Sequence, residues 1–145
     1  MSFGYHVSKA ARLEEIRHAD RRIAWFDLLC ANAEALAPAY AGDHPDILEL
    51  VLHSEATAAV FGLSREDAQD LADRYEYWPE WLGDFTARPG LWERAAEIIS
   101  RMASRFGRFD VHELADVPSQ WKADRAYYVR ARSRARRAIA DGRAS

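Results

Sequence analysis

Apolar residues recur at steps of three, four and seven along most of this 145-residue chain, and prolines and glycines separate one such run from the next. This spacing places apolar side chains on one face of a helix, and no stretch of the chain shows the two-residue alternation that is typical of a strand. The sequence therefore predicts an all-α protein. We expect a single-domain bundle of about six helices, with an irregular, aromatic-rich connection at 75–90.

The first half of the chain predicts two helices. Ser8 can cap the first, whose apolar positions continue to about Ala37. Pro38 is expected to end that helix, because proline lacks an amide hydrogen and its ring clashes with the preceding turn. Pro45 stands at a favourable first position for the second helix. Gly62 is expected to end the second helix as a left-handed cap.

Three shorter signals organise the second half. Ser64 can cap a third helix. A fourth helix is expected after Pro89-Gly90, with its end at Gly107. Asp110 and Glu113 have the spacing of a capping box, in which the two side chains bond to each other's backbone amides, and they predict a short fifth helix.

Composition and length favour one globular domain over residues 1–145. Hydrophobic residues make up 49% of the chain, and mixed charges accompany them, as is typical of folded proteins. The N-terminus shows no secretory signal, and no stretch approaches the roughly 20 apolar residues of a membrane-spanning helix. Cys30 is the only cysteine, which excludes a disulfide within the chain. We therefore expect a cytoplasmic protein without a membrane partner.

The net charge of −3 conceals an uneven distribution. Residues 43–98 carry thirteen acidic and four basic side chains, whereas residues 99–145 carry eleven basic and five acidic ones. Such an asymmetry indicates either an electrostatic partner outside the chain or two regions that neutralise each other.

A last helix is predicted over about 119–140, and it holds most of the basic charge. Arg130 and Arg134 lie four residues apart, and like charges at that spacing weaken an isolated helix. We therefore expect anionic neighbours, either phosphate or the acidic middle segment that includes Asp67, Asp70, Asp73, Glu76 and Glu80. The alternative is a basic helix that is simply solvated. The candidate partner-binding or nucleic-acid-binding residues of this helix are Arg130, Arg132, Arg134, Arg136 and Arg137.

The aromatic stretch has two interpretations. Its aromatic side chains can complete a core that short helices leave open, and we favour this role. If part of the stretch is exposed, Trp78 and Trp81, interleaved with Glu76 and Glu80, would suit an arginine-rich partner through cation–π contacts and ion pairs. These four residues are therefore further candidates for partner binding.

The corner between the second and third helices resembles a helix-turn-helix motif. Ala58, Gly62 and Leu71 fall at the offsets of its small, turn and apolar positions. The would-be recognition helix, however, is net negative, with Asp67 and Asp70 among the residues expected to face outward, and phosphates would be repelled. We favour a structural corner over a DNA reader.

Metal and catalytic sites are incomplete in the sequence. Asp46, Glu49 and His53 can share one face of a helix, and Glu15 with His18 forms a second, shorter spacing. Neither set reaches the ligand number of a zinc or di-iron site. We expect no metal, no cofactor and no catalytic residues.

The spacing of Arg12 and His18 resembles the Arg-x(4–6)-His pattern of HEPN-type helical ribonucleases. That resemblance implies a helical hydrolase. Six residues advance a regular helix by about 240°, so the two side chains are not expected to share a face.

These observations favour a non-enzymatic regulatory or adaptor protein that acts through protein–protein contacts. Its partner would be another protein or a second copy of the chain in a homodimer. The alternative is a nucleic-acid-binding protein that uses the basic last helix and the corner at 55–75. A second alternative is a metal-dependent or HEPN-like hydrolase.

Overall fold

The computed structural model describes residues 7–41, 55–76, 89–108 and 111–142, and most of these residues are helical. They form six α-helices and one 3₁₀ helix: α1 Lys9–Ala31, α2 Ala33–Tyr40, α3 Glu55–Val60, α4 Arg65–Glu76, α5 Pro89–Phe106, the 3₁₀ helix Val111–Ala115, and α6 Pro118–Ala140. The same ranges contain no strand. The predicted all-α class is confirmed, and long-range contacts between the helices build a bundle.

The helices on both sides extend into the predicted irregular connection at 75–90. α4 continues through Glu76, and α5 begins at Pro89. Residues 77–88, which include Trp78, Trp81 and Glu80, lie outside the described residues. The first part of the helix predicted after Pro45 lies outside them as well. In the described ranges, no helix is both long and apolar enough to cross a membrane.

The first predicted helix is in fact two helices, and the break falls at Asn32 rather than Pro38. Ser8 caps α1 as expected, accepting a hydrogen bond from the Ala11 amide at 3.1 Å. The Asn32 side chain donates to the Leu28 carbonyl at 2.8 Å, and this bond competes with continuation of the helix. Pro38 lies inside α2, where burial of Leu36 on the same short helix favours the helical path over the local preference of proline.

The corner between α3 and α4 forms as the sequence predicts. Gly62 has a φ of +70°, the left-handed conformation in which glycine avoids a steric cost. Its amide donates to the Ala59 carbonyl at 3.0 Å, and the Leu63 amide donates to the Ala58 carbonyl at 2.9 Å, which completes a Schellman motif. Ser64 then caps α4 by accepting from the Asp67 amide at 3.0 Å.

Aromatic side chains from well-separated helices form the centre of the core. Trp25 of α1 is fully buried, stacks on Phe61 at a centroid distance of 5.5 Å and meets Phe106 edge-on at 5.4 Å. Trp121 of α6 is also fully buried and contacts Tyr40 at 5.3 Å. The first set of contacts joins α1 to α5, and the second joins α2 to α6. Each ring removes a large apolar area from water, so both contacts stabilise the bundle.

A buried ion pair joins α1 to the 3₁₀ helix. The guanidinium of Arg22, a residue only 5% exposed, donates to a carboxylate oxygen of Glu113 at 2.5 Å and to the Arg108 carbonyl at 3.0 Å. The second carboxylate oxygen of Glu113 accepts from the Trp25 indole at 2.5 Å, and its backbone carbonyl accepts from the Trp121 indole at 2.8 Å. Glu113 was expected only as a capping residue, yet it contacts three side chains of the core.

We expect Glu113→Gln to lower the free energy of unfolding by about 2–4 kcal/mol, because it leaves Arg22 buried without a counter-charge while the site keeps some solvent contact. Urea denaturation followed by circular dichroism measures this loss. Glu14→Gln is the matched control, since Glu14 forms an exposed pair with Arg17 at 3.3 Å, and its removal is expected to cost less than about 1 kcal/mol. Equal losses in the two variants would contradict the role assigned to Glu113.

Candidate functional site

The most extensive contact between two helices in the described structure is between α1 and α6. Two acids of α1 form ion pairs with basic residues of α6. Arg125 donates to Asp27 at 2.5 Å, and Arg132 donates to Asp20 at 2.7 Å. The order of these two pairs shows that the helices run antiparallel. Two of the basic groups of α6 therefore have acidic partners on α1, although the sequence suggested that such partners would come from the acidic middle segment.

The other four candidate arginines of α6 are exposed. In the part of the chain that the structure describes, no acid lies within ion-pair distance of them. They are Arg130, Arg134, Arg136 and Arg137. Arg130, Arg134 and Arg137 follow one another at steps of four and three on one face, and span about 10 Å along the axis. We call the surface formed by Arg130, Arg134 and Arg137 the α6 basic face. Positive charge is concentrated on it.

Asp67 and Asp70 of α4 face α5, which corrects their predicted role as outward residues of a recognition helix. Asp67 is 6% exposed and forms ion pairs with Arg94 and, at 3.1 Å, with Arg101. Asp70 lies 3.8 Å from the Nε of Arg94. Burial accounts for the difference, because α4 packs against α5 and the buried carboxylate of Asp67 needs positive partners, which Arg94 and Arg101 supply.

A groove of about 390 Å³ runs between α1 and α6 beside the basic face. Its walls include Arg12, Glu15 and His18 of α1 and Tyr127, Tyr128 and Arg134 of α6. Arg12 and His18 were not expected to share a face of α1, but both contribute to this groove. The groove lies between two helices, and a long arginine side chain covers surface well away from its own Cβ.

A second depression of about 340 Å³ adjoins the groove near the C-terminal end of α6. It is lined by Arg12, Arg134, Arg137 and Ala138, and two of these residues also line the first groove. Arg12 donates to Glu15 at 3.0 Å, while its Nε is buried and has no hydrogen-bond partner among the described residues. The adjoining depression thus has arginine side chains from two helices in its wall.

Aromatic contacts hold one wall of the groove in place. The ring of Tyr128 packs against Phe26 at 6.1 Å and meets the edge of His18 at 5.8 Å. Tyr127 contacts Tyr128 edge-on at 5.2 Å and is itself 54% exposed. Gly107, which ends α5 with a φ of +75°, lies close behind α1: a Cβ at that position would come within 3.4 Å of Arg21 and 4.0 Å of His18. No pattern in the sequence predicts that Tyr127 and Tyr128 line a groove between two helices.

The described residues offer no metal site and no reactive cysteine. Within the described residues, no group of three or more His, Cys, Asp or Glu side chains could hold a metal ion. Asp46, Glu49 and His53 lie outside the described residues. Burial raises the pKa of Cys30, which packs against the core, so its thiol stays protonated at neutral pH.

Comparison with known proteins does not assign the chain to a family. No protein-family model, no curated protein and no solved structure matches it. The function must therefore be inferred from the site itself.

We expect Asp67→Asn and Asp70→Asn to have different effects on stability. Asp67→Asn removes the buried charge that two arginines contact, and is expected to lower the free energy of unfolding by about 1–3 kcal/mol. The pKa of Asp70 is raised, first by burial and then by the nearby Glu66. Its charged form is thus disfavoured in the folded protein, and this cost is present at neutral pH and disappears as the pH falls through the raised pKa and below its ordinary value.

Asp70→Asn removes that cost, so the variant is expected to be as stable as the parent protein at neutral pH, or more stable. Thermal melts of both variants at neutral pH and in mild acid measure the difference. A larger loss in Asp70→Asn than in Asp67→Asn would contradict the charge assignments in this contact.

Proposed function

We propose that this protein binds nucleic acid through the phosphate backbone, using the α6 basic face. The observation that carries the proposal is the set of four exposed arginines without an acidic partner in the described residues. Arginine presents a planar fork of donors that matches phosphate oxygens and stays charged at any physiological pH. Phosphate contacts would relieve the repulsion between arginines that lie four residues apart.

The composition of this face favours nucleic acid over an acidic protein. Protein–protein interfaces rely on a buried apolar centre with aromatic anchors. In the described part of the chain, the exposed large apolar side chains are Leu13, Val117 and Tyr127, and of these Tyr127 alone belongs to α6. An arginine-rich surface with a single exposed aromatic group suits a charged polymer better than an apolar protein surface.

The protein–protein hypothesis that the sequence favoured rested on contact between the acidic middle and the arginines of α6. The described acids Asp67 and Asp70 pair with α5, which removes part of that support. The side chain of Glu76 is not described, and Glu80 lies outside the described residues. The corner of α3 and α4 is not needed for the proposed binding, since α4 turns its buried Asp67 toward α5 and carries Glu66 exposed.

We expect the protein to bind a mixed-sequence oligonucleotide at low salt, with an affinity that falls steeply between about 50 and 200 mM salt. The triple variant Arg130→Gln, Arg134→Gln, Arg137→Gln is expected to weaken binding at least about tenfold and to reduce the slope of log affinity against log salt by about 2–3. Fluorescence anisotropy of a labelled oligonucleotide measures both quantities.

A charge-matched control places the same three changes elsewhere, at Arg17, Arg65 and Arg108, which are exposed and lie off α6. This variant is expected to bind like the parent protein. Absence of binding at low salt, or equal weakening in the two triple variants, would overturn the proposal. Displacement of the oligonucleotide by polyglutamate at the same charge concentration would favour an acidic protein partner instead.

A further inference from the structure

Tyr127 is an exposed aromatic ring with a rigid support. It is 54% exposed, although the residue next to it in the chain, Tyr128, packs toward the core. Its ring rests edge-on against Tyr128 at 5.2 Å, and Tyr128 in turn packs against Phe26 at 6.1 Å. Tyrosine has few rotatable bonds, so little conformational entropy is lost when a ligand stacks on a ring that is already supported.

Tyr127 lies on the same side of α6 as the arginines of the basic face. Arg130 follows Tyr127 by three residues and Arg134 by seven, which places all three on one side of α6. Arg134 is therefore about 10 Å from Tyr127 along the helix axis. The groove that Tyr127 lines has a volume of about 390 Å³, within the range of small-molecule sites.

An anion fits the depression at the other end of the groove. Arg12, Arg134 and Arg137 surround it, and no acidic residue contributes to its described wall. The ion pair with Glu15 at 3.0 Å holds the Arg12 side chain in place, and the exposed Arg134 and Arg137 add further guanidinium donors. A phosphate group would satisfy such donors through charge-assisted hydrogen bonds.

We infer that the groove between α1 and α6 binds single-stranded nucleic acid, with one unpaired base stacked on Tyr127 and a phosphate of the same strand held by Arg12, Arg134 and Arg137. This inference rests on the proposed function and specifies its ligand. A base inside a duplex is covered on both faces by its neighbours, so Tyr127 can stack only on an unpaired base. Base–aromatic stacking combined with a basic groove is the general basis of single-strand binding without sequence preference.

The test compares single-stranded RNA, single-stranded DNA and the corresponding DNA duplex, each of about 12 nucleotides, by fluorescence anisotropy with the full chain. We expect either single strand to bind at least about tenfold more tightly than the duplex. Tyr127→Ala is expected to weaken single-strand binding by about five- to a hundredfold, with duplex binding and the salt slope unchanged. Tyr127→Phe keeps the ring and is expected to retain the affinity of the parent protein.

Val117→Ala is the control for loss of an exposed apolar side chain, since Val117 is 50% exposed and lies outside the groove. It is expected to leave binding unchanged, and thermal melts check that each variant is folded. Equal affinity for single strands and duplex, or full single-strand affinity in Tyr127→Ala, would overturn the inference while phosphate binding by α6 stands. No binding of any oligonucleotide at low salt would overturn the proposed function and this inference together.

Discussion

The buried charge of Arg22 is the constraint on which the other contacts of the bundle depend. A guanidinium withdrawn from water loses several kcal/mol of solvation, so it is tolerated only with a counter-charge and a full set of acceptors. Glu113 supplies the carboxylate, and the Arg108 carbonyl supplies a further acceptor. The flat face of the guanidinium lies 4.9 Å from the ring centre of Phe26 and 5.4 Å from that of Tyr128. A single residue of α1 thereby fixes the 3₁₀ helix and the aromatic wall of the groove.

The same contact explains why the groove has a defined shape. Tyr128 contacts both Phe26 and the Arg22 guanidinium, and both Tyr127 and His18 rest against Tyr128. The exposed ring is thus connected to the core through one intermediate ring. Charge is segregated in a comparable way. Two acids of α1 pair with arginines of α6, and Asp67 of α4 pairs with arginines of α5. Four arginines of α6 remain exposed without an acidic partner among the described residues.

Features set by local chemistry could be predicted from the sequence, because their causes lie within a few residues. Ser8, Ser64, Gly62 and Gly107 end or begin helices through bonds to adjacent amides and carbonyls or through a left-handed backbone. The break at Asn32 is also local, but it depends on competition between a side-chain bond and helix continuation, and composition alone does not decide that competition. Pro38 shows the reverse case, in which packing on both sides of a proline outweighs its local preference.

The candidate site was predictable only in part. The arginines of α6 were evident because they form a dense run in one helix. Their partners were not, since Asp20 and Asp27 lie about a hundred residues away along the chain, at separations of 112 and 98 positions. Asp67 was assigned to the wrong surface because its helical position does not reveal that α5 covers it. The groove itself brings together Arg12 and Tyr127, and no pattern in the sequence connects two residues so far apart.

The antiparallel pairing of α1 with α6 also has a consequence for how the chain folds. Ribosomes add about 5–20 residues per second, so α1 emerges roughly 5–20 s before the helix that covers it. During that interval Phe26 lacks its contact with Tyr128 of α6, and Arg22 lacks the carboxylate of Glu113. Long-range contacts of this kind are slow to form, because loop closure must precede them. The structure therefore implies a nascent chain whose first helix stays exposed to chaperones until α6 has been synthesised.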